Sequence, residues 1–177
     1  METRRVVTTV NAAQSSDFAH DGLAPRTVAF ESIPGHSASL LWASDGVESN
    51  PSALSRDATV EASSWVPPSG GSRLLKVTFP PDSVFASPRF DPLAAGEETA
   101  AKLPGLAELF EREHPGMHRT RSLDYAIVLD GEIWLELDEG RERHLSAHDV
   151  VVQCATRHAW RNKSARPTTM LFVLLGL

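Results

Sequence analysis

Cysteine is nearly absent: Cys154 alone in 177 residues excludes an intramolecular disulfide framework and fits a reducing compartment. Positive charge is also scarce. Seventeen Lys and Arg against 23 Asp and Glu leave a net charge of −6, and no stretch gathers basic side chains into a long patch, which argues against a nucleic acid partner. Long apolar runs are missing too. The longest, Met170 to Leu177, falls far short of the roughly 18 residues of a membrane span. The Val6 to Val10 run behind Arg4 and Arg5 is too short for the apolar region of a signal peptide. No serine lies in a Gly-x-Ser-x-Gly elbow, which argues against an α/β-hydrolase. The expectation is a cytoplasmic protein that engages neither nucleic acid nor membrane.

What is present is enough for a core. Apolar residues make up 41% and charged residues 23%, the balance of a globular chain, and the length suits one compact domain with an extension. Short β-rich runs separated by turn residues cover Val6 to Val10, Thr27 to Ile33, Ser39 to Trp42 and Leu74 to Phe79. Residues 44 to 71, with the Pro67-Pro68-Ser69-Gly70-Gly71 run, read as a loop holding at most one short strand. From Pro92 to Glu113 the apolar spacing becomes helical, interrupted by Pro104 and Gly105, which predicts two short helices.

After Pro115 the strand signal strengthens. Tyr125 to Leu129, the Asp130-Gly131 turn and Glu132 to Leu137 form a hairpin, followed by runs at Arg141 to Leu145, Asp149 to Gln153, His158 to Asn162 and Thr168 to Leu175. Strands at such close spacing predict an all-β antiparallel sandwich or barrel. Tyr125, Ile127 and Leu129 oppose Asp124, Ala126 and Val128, and Met170 to Leu175 is apolar on both faces. A barrel interior absorbs only one face, so the other needs N-terminal strands, the helical insertion or a second subunit.

The run from Pro115 to Glu132 resembles the first motif of the cupin superfamily, His-x-His, three or four residues, Glu, six residues, Gly. His118, Asp124 and Gly131 fall at the matching spacing, with Thr120 at the second His and Asp124 at the Glu. The second motif, Pro-x-Gly-x-x-His-x-x-x-Asn, resembles Gln153 to Asn162, which keeps His158 and Asn162. The glycine normally ahead of Asp149 is His148. The resemblance implies a double-stranded β-helix, a jelly-roll-like barrel over 72–177 with a helical insertion near 92–113, and N-terminal strands and loop over 1–71 packing on it as one structural domain. It also implies a homodimer burying well over about 1,000 Å².

The resemblance places His118, Asp124 and His158 in the barrel as both catalytic and metal-binding candidates. On one straight strand at about 3.3 Å per residue, His118 and Asp124 would lie roughly 20 Å apart, so the chain must turn between Thr120 and Leu123. Two histidines and one carboxylate suit a divalent metal such as Fe, Mn, Zn or Ni with open positions. Without a metal the same groups remain an acid and two bases, and burial moves both kinds towards neutral pH. Thr120, Val128 and Trp160 are the substrate-binding candidates.

Three functions are compatible with this reading. One is a lyase, isomerase or decarboxylase acting on an organic acid or an aromatic or polyketide-like metabolite. The others are an Fe(II)-dependent dioxygenase and a non-catalytic cupin that binds a small ligand. Arg119 and Arg121 alternate with His118 and Thr120, so a solvated rim is expected of them ahead of an anion-binding role. Trp134 reads as outer-face packing, His114 as a loop histidine and Cys154 as a small packed residue.

Overall fold

The computed structural model describes residues 2–46 and 56–177. Its strands before the midpoint are β1 (Arg4–Val10), β2 (Ser16–Leu23), β3 (Arg26–Ala29), β4 (Ser37–Ser44) and β5 (Ser72–Phe79). Those after it are β6 (Ser122–Asp130), β7 (Glu132–Glu136), β8 (Glu142–Ser146), β9 (Val150–Cys154), β10 (Ala159–Arg161) and β11 (Thr168–Gly176). Between the halves lies one helix, α1 (Pro92–Lys102).

A six-stranded antiparallel sheet in the order β3-β4-β5-β11-β6-β9 accompanies a three-stranded sheet in the order β10-β7-β8. From β6 onward the chain passes repeatedly between them: β6 in the large sheet, β7 and β8 in the small, β9 in the large, β10 in the small, β11 in the large. That winding is a double-stranded β-helix. Strands β1 and β2 pair with each other as a separate hairpin.

Period-two alternation builds the interior. Strand β6 alternates buried Ser122, Asp124, Ala126 and Val128 with more exposed neighbours, and β11 alternates buried Thr168, Met170, Phe172 and Leu174 in the same way. Their inner side chains join Leu40, Leu75 and Ile133 in one core. Each large apolar side chain buried there contributes about 1.5–3 kcal/mol. Trp65, from the segment read as loop, is fully buried in that core; residues 56–71 form no strand, and 47–55 lie outside the described residues. On the outer face Tyr125 and Leu129 stay exposed, and so do Val150 and Val152 on the edge strand β9.

The insertion holds one helix where two were expected. Asp91 caps α1 by accepting from the backbone N–H groups of Leu93 and Ala94, and Pro92 occupies the first turn. The chain leaves the helix before Pro104, and only a single 3₁₀ turn, Ala107–Leu109, follows. Among the described residues, no helix is long and apolar enough to cross a membrane.

Three turn residues matter for the site. Gly131 has φ +86°, and a Cβ there would lie 2.7 Å from Thr168 Oγ1, so both the left-handed backbone and the close approach require glycine. His148 (φ 76°) and Ala155 (φ 50°) also lie in the left-handed region, at the two positions where the resembling motifs carry glycine. The backbone shape has been kept while the residue that adopts it most cheaply has not. Ala155→Gly is therefore expected to stabilise the protein by about 0.5–1 kcal/mol, and His148→Gly by a similar or smaller amount. Urea unfolding midpoints of the two variants check this, and a midpoint below that of the wild type would refute it.

Candidate functional site

The chain bends at Arg121, which separates His118 from the start of β6 as the spacing requires. His118 and His158 form an antiparallel bridge, each backbone N–H donating to the other's carbonyl at 2.9 Å. Their rings lie 4.3 Å apart between centroids. Both are buried, at 9% and 3% exposure. His118 Nδ1 lies 3.1 Å from the Gly116 carbonyl and His158 Nδ1 lies 2.9 Å from the Thr156 carbonyl. A carbonyl oxygen only accepts, so each Nδ1 carries the proton and each Nε2 keeps its lone pair.

Burial lowers the pKa of both imidazoles. His158 is pushed down to about 4, by burial first and then by the neighbouring His118. Both rings are therefore neutral at pH 7. Aromatic rings enclose the pair: Phe110, from the end of the insertion, lies 4.8 Å from His118, and Trp160 stands edge-on to His158 at 5.8 Å and to Phe172 at 5.6 Å.

Asp124 is buried at 5% exposure. Its Oδ2 accepts a hydrogen bond from Thr120 Oγ1 at 3.2 Å, and its Oδ1 has no hydrogen-bond partner among the described residues. Burial pushes its carboxyl up, offset in part by the nearby Ser122 and Thr120 hydroxyls. The structure thus brings His118 to His158 and Thr120 to Asp124. It does not bring the expected metal set together: among the described residues no group of three His, Cys, Asp or Glu side chains is arranged to hold a metal ion. The two imidazole rings face each other, while the carboxylate, one methylene shorter than glutamate, accepts at one oxygen from a hydroxyl where the motif has a third imidazole. No three of these groups meet at one point, so the arrangement does not fit the divalent ion that the resemblance implies.

Of the other candidates, Thr120 turns inward at 2% exposure and Val128 sits fully buried in the core. Trp160 packs between His158 and Phe172. Trp134 lies on the outer face against His144, and His114 is exposed. Cys154 is exposed at the end of β9, so the expectation of a packed small residue is corrected. Ala126 and Val128 are both packed into the core. Two cavities open at the mouth instead, of about 580 Å³ and 300 Å³. Neither is lined by His118, Asp124 or His158, but Thr120, bonded to Asp124, lines the smaller one. Phe110, packed against His118, is the neighbour of the pair that sequence reasoning did not assign.

No family model matches the chain. It is 60% identical over 48 residues to the phomopsin biosynthesis cluster protein C′ of Diaporthe leptostromiformis, a match covering 27% of this chain and 25% of that protein. It is 47% identical over 62 residues to the cupin-domain-containing oxidoreductase virC of Hypocrea virens, covering 33% of this chain and 32% of that one. The chain thus spans about a quarter to a third of the length of these curated relatives. Among solved structures, a putative ethanolamine utilization protein Q from Salmonella typhimurium matches with TM-score 0.41 and 9% identity, over 99% of this chain and 97% of that chain. The fold reading rests on the chain's own strand order, an all-β double-stranded β-helix with two histidines facing each other at one end. The partial matches to cupin-domain-containing proteins agree with that fold and support the resemblance to the cupin superfamily.

Proposed function

We propose that this chain is a small-molecule enzyme of cupin type that moves a proton at carbon next to a carbonyl, the step shared by lyases, isomerases and decarboxylases acting on organic acids. The observation that carries it is the His118–His158 pair, two buried imidazoles with both Nδ1 protons held by backbone carbonyls and both Nε2 atoms left as acceptors. Burial lowers the histidines and raises Asp124, so the two kinds of group approach each other in proton affinity, the condition for passing a proton between them and a substrate. In this reading the imidazole pair takes the proton and Asp124 returns one. The curated relatives support the coarser reading, since several are cupin-domain-containing oxidoreductases or members of fungal biosynthesis clusters.

Exchange of the carbon-bound protons of pyruvate and phenylpyruvate with D₂O, followed by proton NMR, tests the proposal. The wild-type protein is expected to exceed the buffer rate. His118→Ala and His158→Ala should each lower the enzymatic rate by about 100-fold or more, with partial recovery on adding imidazole. No exchange above buffer with either acid, or equal rates in the wild type and both variants, would refute it.

A further inference from the structure

The two mouth cavities meet at the same pair of side chains: Arg119 and Arg121 line both. The alternation that puts Thr120 inside puts these two guanidiniums outside the barrel, and both residues are exposed. Apolar side chains accompany them: Val66 and Pro67 from the N-terminal region and Leu109 from the insertion line the larger pocket with the two arginines. The solvated rim expected at these positions is thus one side of an open groove with an apolar wall.

The charge along that groove is one-sided. The larger cavity is lined by Arg73, Arg119 and Arg121 against the single carboxylate of Asp45. Asp45 is already committed, its Oδ1 accepting from Arg73 Nη2 at 2.6 Å. Arg73 is committed as well, because its remaining donors go to the carbonyls of Ser44, Ser64 and Ser72. Three guanidiniums against one carboxylate leave an excess of two positive charges, on a chain whose net charge is −6. That excess resides in Arg119 and Arg121. Arg119 uses Nε on the Ala155 carbonyl at 2.7 Å, which fixes the side chain and leaves its Nη groups free. The Arg121 guanidinium has no hydrogen-bond or ion-pair partner among the described residues.

We infer that Arg119 and Arg121 form a carboxylate-binding site at the barrel mouth, for a small organic acid with an apolar body. Guanidinium forks match carboxylate oxygens in pairs, which makes arginine the residue for recognising such a group. The smaller cavity, lined by Arg119, Thr120, Arg121 and Ala155, takes the acid head. The wall of Val66, Pro67 and Leu109 in the larger cavity takes the apolar body, and a pocket of several hundred Å³ suits a ligand of that size. This deepens the proposed function, and rests on it only for which part of the acid reacts. It adds the substrate class and names the two residues that select it. Thr120 joins the two parts of the site, since it lines the smaller cavity and its hydroxyl is bonded to the Asp124 carboxylate.

Calorimetric titration of the whole chain with phenylacetate, phenylacetamide and inorganic phosphate tests this assignment without any turnover. Phenylacetate should bind once per chain, and phenylacetamide, which keeps the body and lacks the charge, at least about tenfold more weakly. Phosphate, which lacks the body, should also bind more weakly than phenylacetate. Arg121→Gln and Arg119→Gln should each cut phenylacetate affinity about tenfold, and Arg121→Lys should restore part of the loss. No binding of phenylacetate, equal binding of acid and amide, or wild-type affinity in both glutamine variants would overturn the assignment. Tighter binding of phosphate than of phenylacetate would overturn the apolar-body part of it. The two readings can fail separately. A failed exchange assay together with this binding pattern removes the proton-transfer reading and leaves the site. Histidine-dependent exchange without arginine-dependent binding removes the site alone.

Discussion

Asn162→Ala is expected to lower stability by about 3 kcal/mol or more, moving the urea midpoint down by about 1–2 M. Asn162 is 1% exposed, and its side chain uses its full capacity. Nδ2 donates to the Phe79 carbonyl at 3.0 Å and the Arg166 carbonyl at 2.8 Å. Oδ1 accepts from the Ser164 backbone N–H at 3.1 Å and from its hydroxyl at 2.7 Å. One side chain thus ties the end of β5 to the turn between β10 and β11. Truncation takes the donor from the Phe79 carbonyl and the acceptor from the Ser164 backbone N–H at a part-buried junction, and such orphaned groups cost more than the bonds contribute. Asn162→Asp should be no milder. It keeps the acceptor side, turns a negative oxygen towards two carbonyls, and adds charge near Asp82, whose Oδ1 accepts from the Asn162 backbone at 3.1 Å. His144→Ala, on an exposed strand, is the control, and a midpoint for Asn162→Ala within about 0.3 M of that control would contradict this account.

The second large effect is a loss of stability on mild acidification. His158 titrates at about 4 in the folded protein and near 6.5 in an unfolded chain. Between those values the unfolded chain holds the extra proton, so stability is complete above pH 6.5 and falls as pH drops towards 4. One proton over that window is worth about 1.4 kcal/mol per pH unit, on the order of 3 kcal/mol in all. His118 faces it, and burial lowers both that ring and His36, so both add in the same direction. Paired carboxylates respond lower down: Asp57 is held at about 2 and destabilises only below its unfolded value near 3.9. Urea unfolding at steps from pH 7 to pH 4 should give a steep wild-type slope, and His158→Gln should flatten it by about one proton. Equal slopes would show that the imidazole carries its charge without cost, contrary to its burial.

The strands after Pro115 were legible in the sequence because each alternates, and the winding of the barrel follows from their spacing. Strand β2 was not: Ser16 to Leu23 is exposed along nearly its whole length, so it has no buried face and leaves no period in the sequence. Trp65 was hidden for the converse reason, since it reaches the core from a segment without regular structure, where no periodicity records burial. The histidine pair could be read from motif spacing because each histidine is fixed by its own strand end. The role of Arg119 and Arg121 could not. Alternation correctly puts them outside the barrel, but the apolar side chains that share their groove come from residues 66–67 and from Leu109, and no local pattern encodes a neighbour over such a separation. Spacing places Asp124 in the right part of the barrel, but no local pattern records that its Oδ2 accepts from Thr120.

Each histidine of the pair takes its Nδ1 acceptor from the carbonyl two residues earlier in its own chain segment. The choice of tautomer is therefore written in the main chain, in two separate copies, and owes nothing to any other side chain. Neighbouring residues can drift without rewriting which nitrogen bears the proton, so pocket walls and specificity are free to diverge while the basic nitrogens stay as they are. Rewriting it takes a change in backbone path at 116–118 or 156–158, and each of those paths is clamped to the other by the reciprocal bridge between the histidines themselves.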